Sequence, residues 1–454
     1  MSKIVSGSWT TKFKEGDKGY LLNEAIAEAS RCMQCKEPTC IEGCPIHVNI
    51  PEFLRCIKDR DTKSAMMVIR EANQLPGICR RLCPHERLCE GKCNLNKEGK
   101  PISIGCLQRF ASDNEDNVFI FPYKIPKSRK QQNAKKTNKK IAVVGSGLAG
   151  MACASYLASR GYNVMIYEAL HDLGGVLRCS IPEFRLPRDI LNTEIENIKK
   201  KGVRFLVNHV IGKTLTINDL QNEYDAIFIG TGAGQPHLPD IPGEHLNGVI
   251  TANEFLTRIN LMGSDKFPDY DTPINKHIKT VVVGGNDKAI DAARTAKMLG
   301  SDVTIIYKST FDEIPARHTD IDHAKEEGIN FLFLTYPARI IGKNHVKEIE
   351  LIQMMLAEED NSGRKKAVPI ENTEYIMECN QVILAIGQKP SPIITKDSKI
   401  SHRRDGRIVV DGKMRTSRKN VFAGGAAISG TESAIHSIRD GKLAAENIDE
   451  MLRE

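Results

Sequence analysis

Residues 140–168 read KIAVVGSGLAGMACASYLASRGYNVMIYE. Lys140–Val144 has the make-up of a short buried strand. Gly145-Ser146-Gly147-Leu148-Ala149-Gly150 then opens an alanine-rich helix that ends near Gly161. A second strand, Tyr162–Tyr167, ends at Glu168. Strand, glycine loop, helix, strand and acid in this order describe a dinucleotide-binding βαβ unit. The glycines let the backbone approach a pyrophosphate, and the helix N-terminus stabilises its charge. Glu168 lies 23 residues beyond Gly145, a suitable distance for a ribose hydroxyl.

Working outward, Gly174-Gly175 and the Ile229-Gly230-Thr231-Gly232 run support FAD as the nucleotide of this first unit. A second unit begins at Lys279–Val283, with Gly284-Gly285-Asn286-Asp287-Lys288-Ala289 as its loop and Asp302–Tyr307 as its second strand. Its third glycine position holds Asn286, a side chain that would crowd a pyrophosphate. Where an NAD site wants an acid, it offers Tyr307 followed by Lys308, and a cation there suits the 2′-phosphate of NADP. Gln381–Gly387 (QVILAIG) is a further buried strand, and Val421-Phe422-Ala423-Gly424-Gly425 precedes a final helix from about Ser433 to Leu452. Both segments are expected to return the chain to the first nucleotide domain. The layout expected is α+β and multidomain: a helical iron–sulfur domain (1–122), a basic linker (123–139), an FAD-binding domain in two parts (140–255 and 377–454) and an inserted NAD(P)-binding domain (256–376), both nucleotide domains Rossmann-like.

The iron–sulfur assignment rests on thiol spacing. Cys32, Cys35, Cys40 and Cys44 read C-x2-C-x4-C-x3-C-P, and Cys83, Cys89 and Cys93 read C-P-x4-C-x3-C. Iron–sulfur cubanes take four soft thiolates, often from short loops with a Cys-Pro step. Zinc also uses C-x2-C pairs, but it closes on two pairs or on Cys with His. Four thiols plus three leave one ligand missing for two [4Fe–4S] clusters. The groups are expected to interleave: Cys32, Cys35 and Cys40 with Cys93, and Cys44, Cys83 and Cys89 with a fourth ligand from downstream. Gln108 and Cys106 are the candidates for that place. Cys56, Cys79, Cys153, Cys179 and Cys379 read as packed thiols, with Cys179 in a segment expected to approach the flavin.

Bulk properties set limits. At 454 residues the chain has length for about three domains. Apolar residues make up 41%, and no apolar run reaches the ~18 residues of a membrane span. The N-terminus lacks the apolar stretch of a signal peptide, so a cytoplasmic location is expected. Thirteen cysteines in a reducing compartment argue for metal ligands over disulfides. Part of the +7 charge sits in Lys124–Lys140, which lacks interleaved aromatics; it reads as a solvated linker rather than a nucleic-acid surface. Around the cysteines, Leu21–Arg31 has helical spacing, Asn49-Ile50-Pro51 reads as a capped helix start, and Asp61-Thr62 opens another helix.

Several segments together resemble one family. They are residues 31–36 (RCMQCK), 40–46 (CIEGCPI), 77–85 (GICRRLCPH), 89–95 (CEGKCNL), 102–113 (ISIGCLQRFASD), 174–187 (GGVLRCSIPEFRLP), 313–317 (EIPAR), 323–329 (HAKEEGI), 385–391 (AIGQKPS) and 422–425 (FAGG). They are similar to the iron–sulfur flavoprotein (small, or beta) subunit of glutamate synthase, the large subunit of NADH-dependent reduced ferredoxin:NADP oxidoreductase and the N-terminal half of dihydropyrimidine dehydrogenase. The resemblance places the eighth cluster ligand on Gln108. It implies cofactor contacts from Gly145, Ser146, Gly147, Gly150, Glu168, Gly174, Gly175, Arg185, Thr231, Gly232, Gly387, Gly424, Gly425 and Ser433, and from Gly284, Gly285, Asn286 and Lys308 in the second unit. The activity implied is that of an electron-input subunit. NAD(P)H reduces FAD, and single electrons pass through the clusters to a glutamate synthase large subunit-like, flavoprotein or ferredoxin partner in a hetero-oligomer. No acid–base residues are required for that chemistry. Three departures stand on the nucleotide path: Ala426 where the family has an Asp, Asn286 for a glycine, and Lys308-Ser309 for a pair of arginines. They keep open a stand-alone reductase or a relay subunit without nicotinamide chemistry.

Overall fold

The computed structural model describes residues 19–115, 136–359, 365–430 and 433–454. The expected linker lies outside them except for its last four residues. The described residues form two compact units: Arg178–Phe184 with Gly234–Gln388, and the remainder.

In the larger unit the cysteine-bearing segment is helical. Helix Leu22–Ser30 leads into Cys32. Helix Ile50–Lys58 has Pro51 in its first turn, and the Asn49 side chain accepts from Glu52 N. Helix Thr62–Ala72 is capped by Asp61, which accepts from Ser64 N at 2.9 Å. Helices Pro76–Leu82 and Ile104–Asp113 complete the set. Each cap satisfies a backbone donor that the helix itself leaves orphaned. Phe53, Leu54, Ile57, Met66, Ile69, Leu75 and Ile78 are almost wholly buried. Each such side chain contributes about 1.5–3 kcal/mol.

This helical region is docked on the first nucleotide domain through a polar joint. Glu194, on helix Arg188–Lys200, accepts from Gly77 N at 2.7 Å. Its other oxygen lies 3.8 Å from the Arg70 guanidinium, which holds Glu115 in a two-pronged pair. Burial pushes the Glu194 carboxyl above its usual range, against the pull of Arg70. The joint fixes the start of the helix that carries Cys79 and leads to Cys83.

The first nucleotide sheet has five parallel strands in the order Val421–Ala423, Ala226–Ile229, Lys140–Val144, Asn163–Tyr167, Arg204–Leu206. The strand order reverses on either side of Lys140–Val144, so the glycine loop emerges at a topological switch point. Helix Leu148–Ser159 packs against the final helix, Ala434–Arg453.

In the other unit, five parallel strands run Val249–Thr251, Gln381–Leu384, Lys279–Val283, Asp302–Tyr307, Asn330–Phe333. Gln381–Leu384 therefore does not return to the first domain. It pairs with Val249–Thr251 and Lys279–Val283, and its buried apolar run carries no signal of which sheet it joins. Helix Ala252–Asn260 also belongs here, with Phe255 and Leu256 in this core. The boundaries expected at 255/256 and 376/377 thus move outward, to about Gly234 and Gln388. An antiparallel sheet of Thr335–Gly342, Val346–Glu359, Lys365–Pro369 and Tyr375–Glu378 was not foreseen.

Candidate redox centre and nucleotide sites

The seven thiols surround two cavities that share a wall. Cys32, Cys35, Cys40 and Cys93 line the outer one. Cys44, Cys83, Cys89 and Gln108 line the inner one, together with Cys79, Asn73 and His85. Ile50 and Ile104 face both. Cys32, Cys35 and Cys40 thus share one cavity with Cys93, and Cys44, Cys83 and Cys89 share the other with Gln108. Cys106, the other candidate for the last place, lines neither cavity. Gly105 brings its helix hard against the inner site, because a Cβ there would lie 2.3 Å from the His85 ring.

The donor set fits iron–sulfur clusters. Burial beside Cys32 and Cys93 pushes the Cys40 thiol up to about 11, and burial likewise raises Cys44. Thiols so placed become thiolates when a cationic centre offsets their desolvation. Among the described residues no three His, Cys, Asp or Glu side chains converge on a single-ion position. The side-chain nitrogens Asn73 Nδ2 and Gln108 Nε2 are buried without a protein partner. At the outer site, amides already address the ligands: Gln34 Nε2 donates to Cys32 Sγ at 3.6 Å and Asn94 Nδ2 to Cys35 Sγ at 3.4 Å. Such bonds stabilise the more negative, reduced state of a cluster. Beside the inner site, the buried Arg80 pairs with Asp113 at 2.5 Å and donates to Arg109 O at 2.7 Å.

The first glycine loop also fits its nucleotide. Gly145 has φ +98°, and a Cβ there would lie 2.6 Å from Gly230 O. A Cβ at Gly150 would lie 1.9 Å from Gly145 O, so the helix can approach the loop only with glycine. Gly147 and Gly232, by contrast, face open space. Glu168 Oε2 accepts from Ser146 N (2.9 Å) and Oγ (2.5 Å), and Oε1 accepts from Leu170 N. Ser146 Oγ in turn accepts from Gly174 N at 2.8 Å, tying Gly174-Gly175 to the loop. Gly424 packs against Phe228, and Gly425 N donates to the buried Asp440 at 3.1 Å. Ala426 begins a short helical turn, so its missing carboxylate leaves this loop anchored by Asp440. Ser433 Oγ bonds His436 Nδ1, Arg185 is buried, and Thr231 is exposed.

In the second unit, Gly284 has φ +139° and Gly285 lies against the Tyr307 ring. Asn286 does not crowd the loop. Its Oδ1 accepts from Ala289 N at 3.0 Å and its Nδ2 donates to Ala385 O at 2.9 Å, so the side chain caps helix Asp287–Met298 and folds toward the sheet. Lys308 is exposed, and Gly387 has φ +113°. Cys179 belongs with this unit, its carbonyl accepting from Asn260 Nδ2 at 3.3 Å.

Sequence reasoning missed several residues. Cys79 and Cys83 are four apart on one helical face, a spacing that would have flagged Cys79. Ile435, from the final helix, reaches the inner cavity with no local signal. Lys288 stands in the first turn of its helix, donating to Asn253 Oδ1 at 3.2 Å and to Gln388 Oε1. Burial lowers its pKa to about 8, with Cys179 and Asp291 opposing. A cation at a helix N-terminus opposes the dipole unless an anion joins it. NADPH affinity is therefore expected to fall as pH rises through about 8 and the ammonium is lost, while Lys288→Met binds more weakly at pH 7 and has a flat profile. Fluorescence titrations at pH 7 and pH 9 check this; an unchanged profile in the variant removes Lys288 from the site.

Comparison with known proteins agrees with this geometry. Residues 9–118 match the family described as dihydropyrimidine dehydrogenase domain II, 4Fe-4S cluster. Residues 139–441 match the pyridine nucleotide-disulphide oxidoreductase family. The glutamate synthase [NADPH] small chain of Escherichia coli is 31% identical over 96% of this chain and 93% of its own length. The chain belongs to the glutamate synthase small-chain family of pyridine nucleotide oxidoreductases. This family member is also 35% identical to the NADP(+)-dependent formate dehydrogenase subunit beta of Moorella thermoacetica, over 91% of this chain. It spans only 60% of that relative's length. Mycobacterium tuberculosis FprA in complex with NADPH shares the fold at a TM-score of 0.59 and 19% identity, covering 69% of this chain and 84% of FprA. The family member is an iron–sulfur flavoprotein oxidoreductase, and the relatives named here carry NADPH or NADP(+) in their own descriptions. Among its described residues, no helix is long and apolar enough to cross a membrane.

Proposed function

We propose that this chain is the electron-input subunit of a larger oxidoreductase, oxidising NADPH and delivering electrons at its iron–sulfur end to a partner subunit. Two [4Fe–4S] clusters are proposed. Cys32, Cys35, Cys40 and Cys93 would hold the outer one, and Cys44, Cys83, Cys89 and Gln108 the inner one. FAD, when bound, exchanges two-electron equivalents with nicotinamide and single electrons with iron–sulfur centres.

The observation that carries this reading is the shared wall. The inner cavity touches the outer one through Ile50 and Ile104 and touches the flavin domain through Ile435. The inner thiols are buried, whereas Cys32, Cys35, Cys40 and Cys93 are partly exposed beside the exposed Met33. The chain's own residues thus set an order, from flavin domain to inner site to outer site to surface. Ile46, Val48, Ile50 and Phe53 give the inner site largely apolar walls, and Gln34 and Asn94 favour the reduced state outside. Asn286 capping its helix removes one motive for a relay that has lost nucleotide chemistry.

An anaerobic titration with NADPH, followed by visible absorption and EPR, tests the reading. Flavin bleaching accompanied by two cluster signals is expected. Clusters that stay oxidised while flavin bleaches would overturn the input role.

A further inference from the structure

The inner cavity holds one sulfur more than its proposed ligands use. Cys79 lies one helical turn before Cys83, whose backbone N–H donates to Cys79 O at 2.9 Å, so both side chains face the same way. Cys79 is 3% exposed and lines the cavity with Cys44, Cys83, Cys89 and Gln108. Its thiol is an electrostatic neighbour of the Cys83, Cys44 and Cys89 thiols. A cysteine kept only for packing has no need to face three other thiols. Two amides mark the same cavity as built for a ligand: Asn73 and Gln108 are 0% and 6% exposed, and both amide nitrogens lack a protein partner.

We propose that Cys79 is an alternative fourth ligand of the inner iron–sulfur centre, exchanging with Gln108 at one iron. In the exchange the bond from iron to Gln108 Oε1 breaks, a bond from the same iron to Cys79 Sγ forms, and the thiol proton leaves to solvent. No electron moves, so the iron oxidation states are unchanged and the site gains one negative charge. The thiolate form is harder to reduce, because charge and ligand type set the potential of a cluster. The inner site therefore has two potentials, selected by which side chain is bound.

This inference rests on the iron–sulfur reading of the inner cavity, and one set of full-length proteins separates the two. Wild type, Cys79→Ser, Gln108→Ala and the double variant are reconstituted anaerobically, then compared by iron and sulfide content, EPR of the reduced state and midpoint potential. Gln108→Ala is expected to keep the wild-type iron content, with an inner signal of altered shape and a lower midpoint. The double variant is expected to fall to about half the iron, since one cubane of two is lost. Retention of the outer-centre signal and of flavin shows that each variant has folded; should Gln108→Ala collapse, the bulkier Gln108→Leu carries the same comparison. Loss of half the iron in Gln108→Ala or Gln108→Leu alone, with Cys79→Ser like wild type, would overturn the exchange and leave the iron–sulfur reading standing. Wild type with no inner centre would overturn both.

Discussion

Cys44→Ser is expected to leave NADPH bleaching the flavin while the outer cluster stays oxidised. Cys44 is 8% exposed and follows the short turn Thr39–Glu42 that also carries Cys40. Consecutive ligands of one run thus serve different cavities, Cys40 the outer and Cys44 the inner. Serine offers iron a harder, more basic ligand and does not replace a thiolate in a buried site. The inner centre would be lost, and with it the step between flavin domain and outer site. Changes merely beside metal ligands cost about 10–100-fold, so loss of a ligand should slow reduction of the outer centre by more than about 100-fold. Rapid-freeze EPR after mixing with NADPH measures this. Wild-type reduction of the outer centre in the variant would mean that the inner site is not on the route.

Gly150→Val is expected to empty the flavin site and destabilise the larger unit. A Cβ at this position would lie 1.9 Å from Gly145 O, which is backbone and has no flexible end to yield. The helix must back away from the loop, and the final helix obstructs it, since a Cβ at Gly441 would itself lie 2.1 Å from Ala149 O. Overpacking of this kind costs about 1–3 kcal/mol and occasionally more. Gly147→Ala makes the informative contrast. Its φ is −72° and no atom beyond its chain neighbours lies within 4 Å of the added methyl, so the flavin-free variant should melt with flavin-free wild type. Its flavin content should nevertheless fall, because that open space is where a pyrophosphate approaches the helix N-terminus. The flavin-to-protein ratio and thermal melting together decide the matter. Gly147→Ala with full flavin would show that the open space is not the cofactor's.

Local chemistry carried most of what was legible in the sequence. The caps at Asn49 and Asp61, the glycine loop at Gly145 and the interleaving of two cysteine runs all follow from residues near one another in the chain. Strand Gln381–Leu384 reads equally well for either domain in the sequence, because a short buried run records burial on both faces and nothing about its partners. Asn286 was expected to obstruct, since a side chain at a glycine position has volume. Only the neighbouring Ala289 N–H and Ala385 carbonyl show that the volume is spent on a cap. Cys79 reads as packing because it stands outside the Cys-Pro runs, and only the folded helix sets it among the other thiols. Ile435 lies 352 residues beyond Cys83, a proximity that periodicity does not encode.

That last contact has a consequence for how the protein is made. The wall of the inner cavity includes a side chain from the last helix, and the polar joint needs Glu194, also translated after the last of the seven thiols. A nascent chain that has released all seven of these thiols and Gln108 still lacks part of the inner cavity's wall. The outer site, lined by residues no later than Ile104, can close early. For the two proposed centres, the lining of the outer cavity is complete once Ile104 is made, and that of the inner one only when synthesis has passed Ile435.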